Sequence, residues 1–381
     1  MTARGEERLR AGHLWVYRSD VSAVDAEGGE VVLVTGARGR ALGRALFSDR
    51  SKISLRLLVH GDEDVDDGFW RRRLGAAIRF RESLGIDGTA YRLVHGEGDL
   101  LPSLIVDRYG DYLVLQSLSQ GIERALPELT RILADLVHPA GILARNDVKV
   151  RGLEGLDQGI TVLHGSVPQT IPVREGPIEY EVDPWKGQKT GLFLDQRENR
   201  AAAATYAKGR LLDAFSYNGG FAMRLASNCD TVLALDISAE AVSRIASNAT
   251  RNGLGNIEAR EANVFDELRS LERGGERFDT IVLDPPAFAK NKASVPKALG
   301  GYREINLRAL KILAPGGYLV TCSCSYNVDE AAFGEVLYEA ATDAGVHMDV
   351  VEKRMQGRDH PVLLGVPETH YLKCFILRRI E

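Results

Sequence analysis

Cysteine is scarce in this chain, with four in 381 residues. No C-x-x-C and no H-x-x-x-H occurs, and structural zinc usually needs four ligands in two separated pairs, so a metal site is not expected. The spacing offers no disulfide framework either, which fits a reducing cytoplasm. Long apolar runs are missing as well. Without a stretch of about 18 apolar residues, no membrane-spanning helix is expected. The start MTARGEERLRAGHLW has no apolar core of a secretory signal. Internal repeats and low-complexity tracts are also lacking.

What is present describes an ordinary soluble globular protein: 44% hydrophobic and 27% charged residues. At this length two or three domains are expected, each with its own core. The net charge of −5 argues mildly against a nucleic-acid partner, but the charge is uneven. Residues 1–60 carry ten Lys/Arg against seven acids, Arg8, Arg10 and Arg18 among them. GDEDVDDG at 61–68 follows, polar and bounded by glycine, and reads as a linker. RRR at 71–73 comes next. Such charge runs serve as solvated faces as readily as binding patches.

Before the linker lie short β-rich pieces, with a hairpin turning at Gly36 and Gly39. After it, FWRRRLGAAIRFRESLG has helical spacing and a stop at Gly85. Further segments read as strands, GILARNDVKVRGLEGL among them, with one amphipathic helix at IERALPELTRILADLV. The expected organisation is residues 1–66, a central α+β domain at 72–175, and a third domain at 176–381. In the third, GRLLDAF, TVLALDIS, IEAREAN, FDTIVLDPP and GGYLVTCSCS alternate with helices, which predicts an α/β, doubly wound parallel sheet. Ligands bind such sheets beyond the carboxyl ends of the strands.

Those ends carry the chemistry. Asp213 closes the first strand, and the pair Gly219–Gly220 opens the next helix, so backbone can approach a ligand there. Asp236 ends the second strand, where a carboxylate can bind both ribose hydroxyls. The loop lacks the G-x-G-x-x-G that a dinucleotide pyrophosphate requires, whereas a nucleoside without phosphates, such as S-adenosylmethionine, would not need it. Asn263 suits an adenine edge or simply a turn. Asp284 follows the fourth strand, held rigid by Pro285 and Pro286. The fifth ends in TCSCS. Phe215, Tyr217, Ile237 and Gln196 complete the expected cofactor site.

Residues 176–381 resemble a class I, Rossmann-like S-adenosylmethionine methyltransferase. The whole chain resembles the PUA-domain family of 23S ribosomal RNA 5-methylcytosine methyltransferases. The motifs that carry the likeness are RLRAGHLWVYRSDV, RNDVKVRGLEGL, KGQKTGLFLDQRENR, DPPAF and DHPVLLGVPETHYLK. The resemblance implies a small β-rich PUA domain at the start, binding RNA through residues such as Arg8, Arg10 and Arg18. It implies S-adenosyl-L-methionine as cofactor and 23S ribosomal RNA, free or in an assembly intermediate, as partner. It implies no membrane and allows a homodimer. In the wider superfamily the nucleophile lies in a GG…TCS stretch. Counting seven residues past Gly317 reaches Cys324, which leaves Cys322 inside the strand as a core residue.

C5 of cytosine is too poor a nucleophile to take a methyl group unaided. A thiolate added to C6 makes C5 reactive, and a free thiol, with a pKa of about 8.5, must first be activated. Asp284 is the expected partner of the ring, and the chain lacks the second cysteine of two-cysteine relatives. The base must also be flipped out to react; Phe288, Tyr302 and Tyr326 could stack on it or could equally be core aromatics. Two rival readings stand beside this one. A purine methyltransferase would use the DPP run with no nucleophile, but here Phe288 comes one residue late, after Ala287. A non-catalytic ribosome-assembly RNA-binding protein would not need the full set of strand-end residues.

Overall fold

The computed structural model describes residues 1–36, 38–187, 190–289 and 291–381. The chain divides into two compact units. The first comprises Met1–Glu175, Glu181–Leu194 and Arg358–Thr369; the second comprises Gly176–Tyr180, Asp195–Gly357 and His370–Glu381.

The first unit contains two sheets. Helix α1 (Ala3–Arg10) precedes β1 (Trp15–Tyr17), β2 (Val31–Thr35), β3 (Ala41–Phe47) and β4 (Ile53–His60), all antiparallel in the order β1-β4-β3-β2. The hairpin read at Gly36 and Gly39 joins β2 to β3, and Gly39 takes φ +72°, a conformation a side chain would resist. Ala37 of that turn lies outside the described residues. Leu9, Val16, Val34, Phe47 and Leu57 share one core beneath this sheet. Helix α2 (Asp67–Ser83) begins inside the acidic run: Asp66 caps it by accepting the Phe69 N–H at 2.8 Å. Part of the expected linker is therefore a helix start, where carboxylates suit the macrodipole. Arg71 pairs with Asp67 and Asp135, and Arg72 with Glu63, so this charge run is satisfied locally.

The second sheet runs β5 (Ala90–His95), β6 (Leu104–Tyr109), β7 (Tyr112–Ser117), β8 (Gly141–Arg145) and β9 (Ile160–Gly165), with α3 (Gln120–Val137) between β7 and β8. The chain beyond Arg145 is not the continuous strand expected. It forms a 3-10 turn over Lys149–Glu154, which swings Arg151 inward to Ser117 O, Asp157 O and Glu123. Strands β10 (Ile171–Glu175) and β11 (Ile178–Val182) follow.

Segments 181–194 and 358–369 cluster with the first unit rather than with the 176–381 domain that the sequence suggested. Buried polar groups explain this. Thr190 bonds Asp107 at 2.5 Å and Tyr109 at 3.0 Å. Asp359 accepts the Arg92 N–H at 2.9 Å, and its carbonyl accepts from Arg81 at 2.7 Å. Each contact satisfies a group that would otherwise be buried unpaired. Gln188 and Lys189, within the KGQKTGLFLDQRENR motif, lie outside the described residues.

In the second unit α4 (Arg197–Ala204) leads to β12 (Arg210–Ala214), α5 (Gly220–Leu225), β13 (Thr231–Asp236), α6 (Ala239–Arg251), β14 (Ile257–Glu261), α7 (Val264–Arg273) and β15 (Phe278–Leu283). Then come α8 (Val295–Ile312), β16 (Leu313–Ser323), α9 (Glu330–Ala344), β17 (Met348–Arg354) and β18 (Lys373–Arg379). The sheet order is β14-β13-β12-β15-β16-β18-β17. Five strands are parallel, as expected. Strand β18 runs antiparallel to β16, and β17 pairs antiparallel with β18, so it points along the five again. Leu212, Leu235, Ile281, Leu283 and Leu319 lie in one fully buried core cluster, as strands covered on both faces require. Strand order reverses at β12, which neighbours both β13 and β15, so the ligand crevice falls at its carboxyl end.

Candidate active site at the carboxyl edge of the parallel sheet

Register aligns the strand ends. Ala214 pairs with Leu235 and Leu283, and Leu283 pairs with Thr321. Asp213, Asp236, Asp284 and Cys324 therefore emerge along one edge. The β12–α5 turn is held in an unusual conformation: Phe215 has φ +63°, Tyr217 +52° and Gly219 +83°. Non-glycine residues seldom adopt such angles, and where they persist they cluster at ligand clamps. A Cβ at Gly219 would also lie 2.9 Å from Met223 Cε, the flexible end of that side chain, and 3.3 Å from Ile245 Cγ1, so both would have to shift.

Two carboxylates fix this turn. Asp236 accepts the N–H groups of Tyr217 (2.8 Å) and Ser238 (2.9 Å), one on each oxygen. It remains half-buried, with lone pairs left for a ribose. Ile237 beside it is 69% exposed, an apolar surface at the site's rim. Asp213 is instead 1% exposed. Its Oδ2 accepts from Ser216 Oγ (2.5 Å) and Ala222 N (2.9 Å), while Oδ1 has no hydrogen-bond partner among the described residues. Burial, reinforced by the nearby Asp284 and Asp236 charges, pushes its carboxyl up to about 7 against the two hydrogen bonds. Asp213 thus shapes the turn from beneath. Asn263 caps α7, its Oδ1 accepting the Phe265 N–H at 3.0 Å.

Asp284 directly follows β15. Gln196 donates to its Oδ1 at 2.8 Å, and Asn199 orients Gln196 through a 2.6 Å bond to Oε1. Gln196 is buried. Next to this turn, the Cys324 thiol donates to Pro285 O at 3.8 Å from a half-buried position. Cys322 is fully buried, paired across the ladder with Cys374, and burial holds its thiol well above the usual range. A thiol so placed is inert.

The three aromatics separate. Tyr326 is 44% exposed. Tyr302 is fully buried, its hydroxyl 2.9 Å from Ser325 Oγ, and cannot stack on a substrate base; this corrects the sequence expectation. Phe288 is half-buried with its ring 4.7 Å from that of Tyr302, within an aromatic row that includes Phe265 and Phe333. The arginines expected to meet RNA are also engaged locally. Arg8 lies over the Tyr17 ring at 4.7 Å and bonds His13 at 3.0 Å. Arg10 pairs with Glu6 at 2.5 Å. Arg18 is exposed and donates to Asp49 O. Arg8 is thereby committed to its own unit.

One residue near Cys324 escaped the sequence reading. Lys373 is 3% exposed and donates to Ser325 O at 2.7 Å and Tyr371 O at 2.9 Å. The signal was a lysine within the apolar run YLKCFIL, since lysine is almost never fully buried without a partner.

These residues suit a nucleoside cofactor bearing a positive sulfonium. Asp236 can take the ribose, Gly219 lets backbone approach, and the Asp236 and Asp284 carboxylates at the strand ends suit the positive charge. A parallel sheet that binds a nucleoside at its switch point, with a thiol at the same edge, defines a group-transfer enzyme of Rossmann-like architecture. The chain belongs to the S-adenosylmethionine-dependent methyltransferase family, whose model matches residues 91–378, and a PUA-like domain model matches residues 1–60. S-adenosylmethionine is accordingly its cofactor. Similar proteins include Ribosomal RNA large subunit methyltransferase I of Tolumonas auensis, 40% identical over 98% of this chain and 97% of that one. The protein of the same name from Erwinia tasmaniensis is 40% identical over 99% and 98%. A methyltransferase crystallised with SAH shares the fold, with TM-score 0.86 and 21% identity over 99% of this chain and 98% of that one. Among the described residues no helix is long and apolar enough to cross a membrane.

Proposed function

We propose that the protein methylates C5 of a cytosine in 23S ribosomal RNA through a covalent adduct at Cys324. The reading rests chiefly on one observation: the Cys324 thiol leaves the sheet beside the Asp284-Pro285-Pro286 turn, 3.8 Å from Pro285 O, while its neighbour Cys322 is sealed in the core. The names of the relatives support large-subunit ribosomal RNA as substrate. The cofactor supplies an electrophilic methyl group. Asp236 holds the ribose, with Ile237 at the rim and Asn263 and Gln196 nearby. The Cys324 thiolate adds to C6, and the C5–C6 π electrons move to C5, which takes the methyl as the S–CH3 bond of the sulfonium breaks and leaves its electron pair on the cofactor sulfur. Loss of the C5 proton to water then returns the electron pair, breaks the S–C6 bond and restores the thiolate. Asp284, fixed by Gln196, faces the ring edge and stabilises the adduct. Tyr326 stacks on the flipped base. The PUA-like domain holds RNA, with Arg18 among its exposed cations, and the reaction takes place in the cytoplasm.

The test is an RNA fragment carrying 5-fluorocytosine, whose fluorine blocks the last proton loss. Wild type and Cys322→Ala should form a covalent complex that survives denaturing gels, and Cys324→Ala should not. An adduct that persists in Cys324→Ala would remove this residue as nucleophile. Methyl transfer undiminished in both variants would point to the purine chemistry instead.

A further inference from the structure

Lys373 heads β18, opposite Ser323 in the antiparallel ladder with β16. Two of its three N–H donors are spent on backbone carbonyls, one of them on Ser325, the residue after Cys324. Its ammonium therefore lies beneath the turn that presents the thiol. A buried lysine is costly, and burial brings its pKa down to about 8, with the Cys324 and Asp329 charges pulling the other way. An apolar side chain would fill the same space without that cost, so the position calls for a cation.

The groups facing this turn otherwise oppose ionisation of the thiol. Asp284 after β15 and Asp329 at the start of α9 are acidic, and Pro285 O accepts the S–H. Tyr302 from α8 is buried and neutral: burial raises its hydroxyl pKa, and so does a Cys324 charge.

We propose that the Lys373 ammonium holds the Cys324 sulfur as a thiolate, as a positioning residue for attack on C6. The inference rests on Cys324 being the nucleophile. The S–H proton passes to water, and the electron pair stays on sulfur until it forms the S–C6 bond. Lys373 keeps its protons throughout.

The test measures alkylation of Cys324 by iodoacetamide against pH in the full chain, resolved by peptide mass spectrometry. In wild type the midpoint should lie about one unit or more below the ordinary value near 8.5. Lys373→Gln keeps an N–H donor and removes the charge. Its midpoint should rise by about one unit, and alkylation and kcat at pH 7 should each fall roughly tenfold with KM unchanged. Lys373→Arg should recover most of the loss. A wild-type midpoint at or above 8.5 overturns the proposal without any variant. So does an unchanged midpoint in a Lys373→Gln protein that still binds cofactor. Failure of the nucleophile reading would look different: Cys324→Ala would keep methylating, whatever the thiol profile shows.

Discussion

Asp213 should make the second unit lose stability as pH rises through the neutral range. Its carboxyl is fully enclosed and titrates near 7, against 3.8 when exposed. The folded state therefore holds the proton more tightly than the unfolded state. Below about pH 4 both are protonated and nothing is lost. Between about 4 and 7 the unfolded chain ionises first, so stability falls, and above 7 the full difference is gone. About three pH units correspond to about 4 kcal/mol, of which about 2–3 should be lost between pH 5 and 8. Asp213→Asn removes the titration but keeps an oxygen to accept from Ser216 and Ala222. Urea unfolding followed by far-UV circular dichroism should then show the variant gaining about 2–3 kcal/mol on wild type from pH 5 to pH 8. All three tryptophans, Trp15, Trp70 and Trp185, lie in the first unit, so their fluorescence transition serves as the control. Parallel pH dependence in the two proteins would show that Asp213 ionises normally and that its enclosure does not carry the effect.

Asp236→Ala should weaken S-adenosylmethionine binding roughly 10–100-fold by calorimetry, since hydrogen bonds to a charged group are worth about 1.5–3 kcal/mol; unchanged affinity would take Asp236 out of the site. Gly219→Ala should cost about 1–2 kcal/mol for its left-handed backbone alone, and the contact 2.9 Å from Met223 Cε adds to that; the readout is cofactor affinity at preserved circular dichroism. Cys322→Ala should keep its activity and lose about 1–2 kcal/mol in chemical denaturation, the cost of a small core cavity. Arg18→Glu should lower RNA affinity and reduce the slope of log affinity against log salt by about one, whereas an unchanged slope would place the phosphate contacts elsewhere.

The costly features of this site share one logic. Asp213 and Lys373 are both buried titratable groups whose charged forms are disfavoured. Each braces a turn that presents functional atoms: Asp213 the positive-φ turn at 215–219, Lys373 the turn after β16. Groups of this kind are retained at functional sites because the geometry they impose outweighs their cost to folding.

The sequence by itself determined the five parallel strands of the second unit and their alternation with helices, because four of them are short apolar runs that close at Asp213, Asp236, Asp284 or Cys324, a local pattern, whereas β17 and β18 carried no such mark. It likewise placed Asp236, Asp284 and Cys324 at one edge, since parallel strands in a doubly wound sheet all present the same end. Even the separation of Cys322 from Cys324 was local, resting on which residue still lies inside β16. What only the tertiary structure decided depends on partners distant in the chain. Tyr302 looked available until α8 packed it against Ser325 and Phe333. Arg8 looked like an RNA contact until Tyr17 and His13 took its guanidinium. Segments 181–194 and 358–369 read as methyltransferase sequence but belong with the first unit, because Thr190 and Asp359 satisfy buried groups at Asp107, Arg92 and Arg81. Lys373 came beneath the turn after β16 only when β18 laid it beside that strand, a pairing that no local pattern encodes.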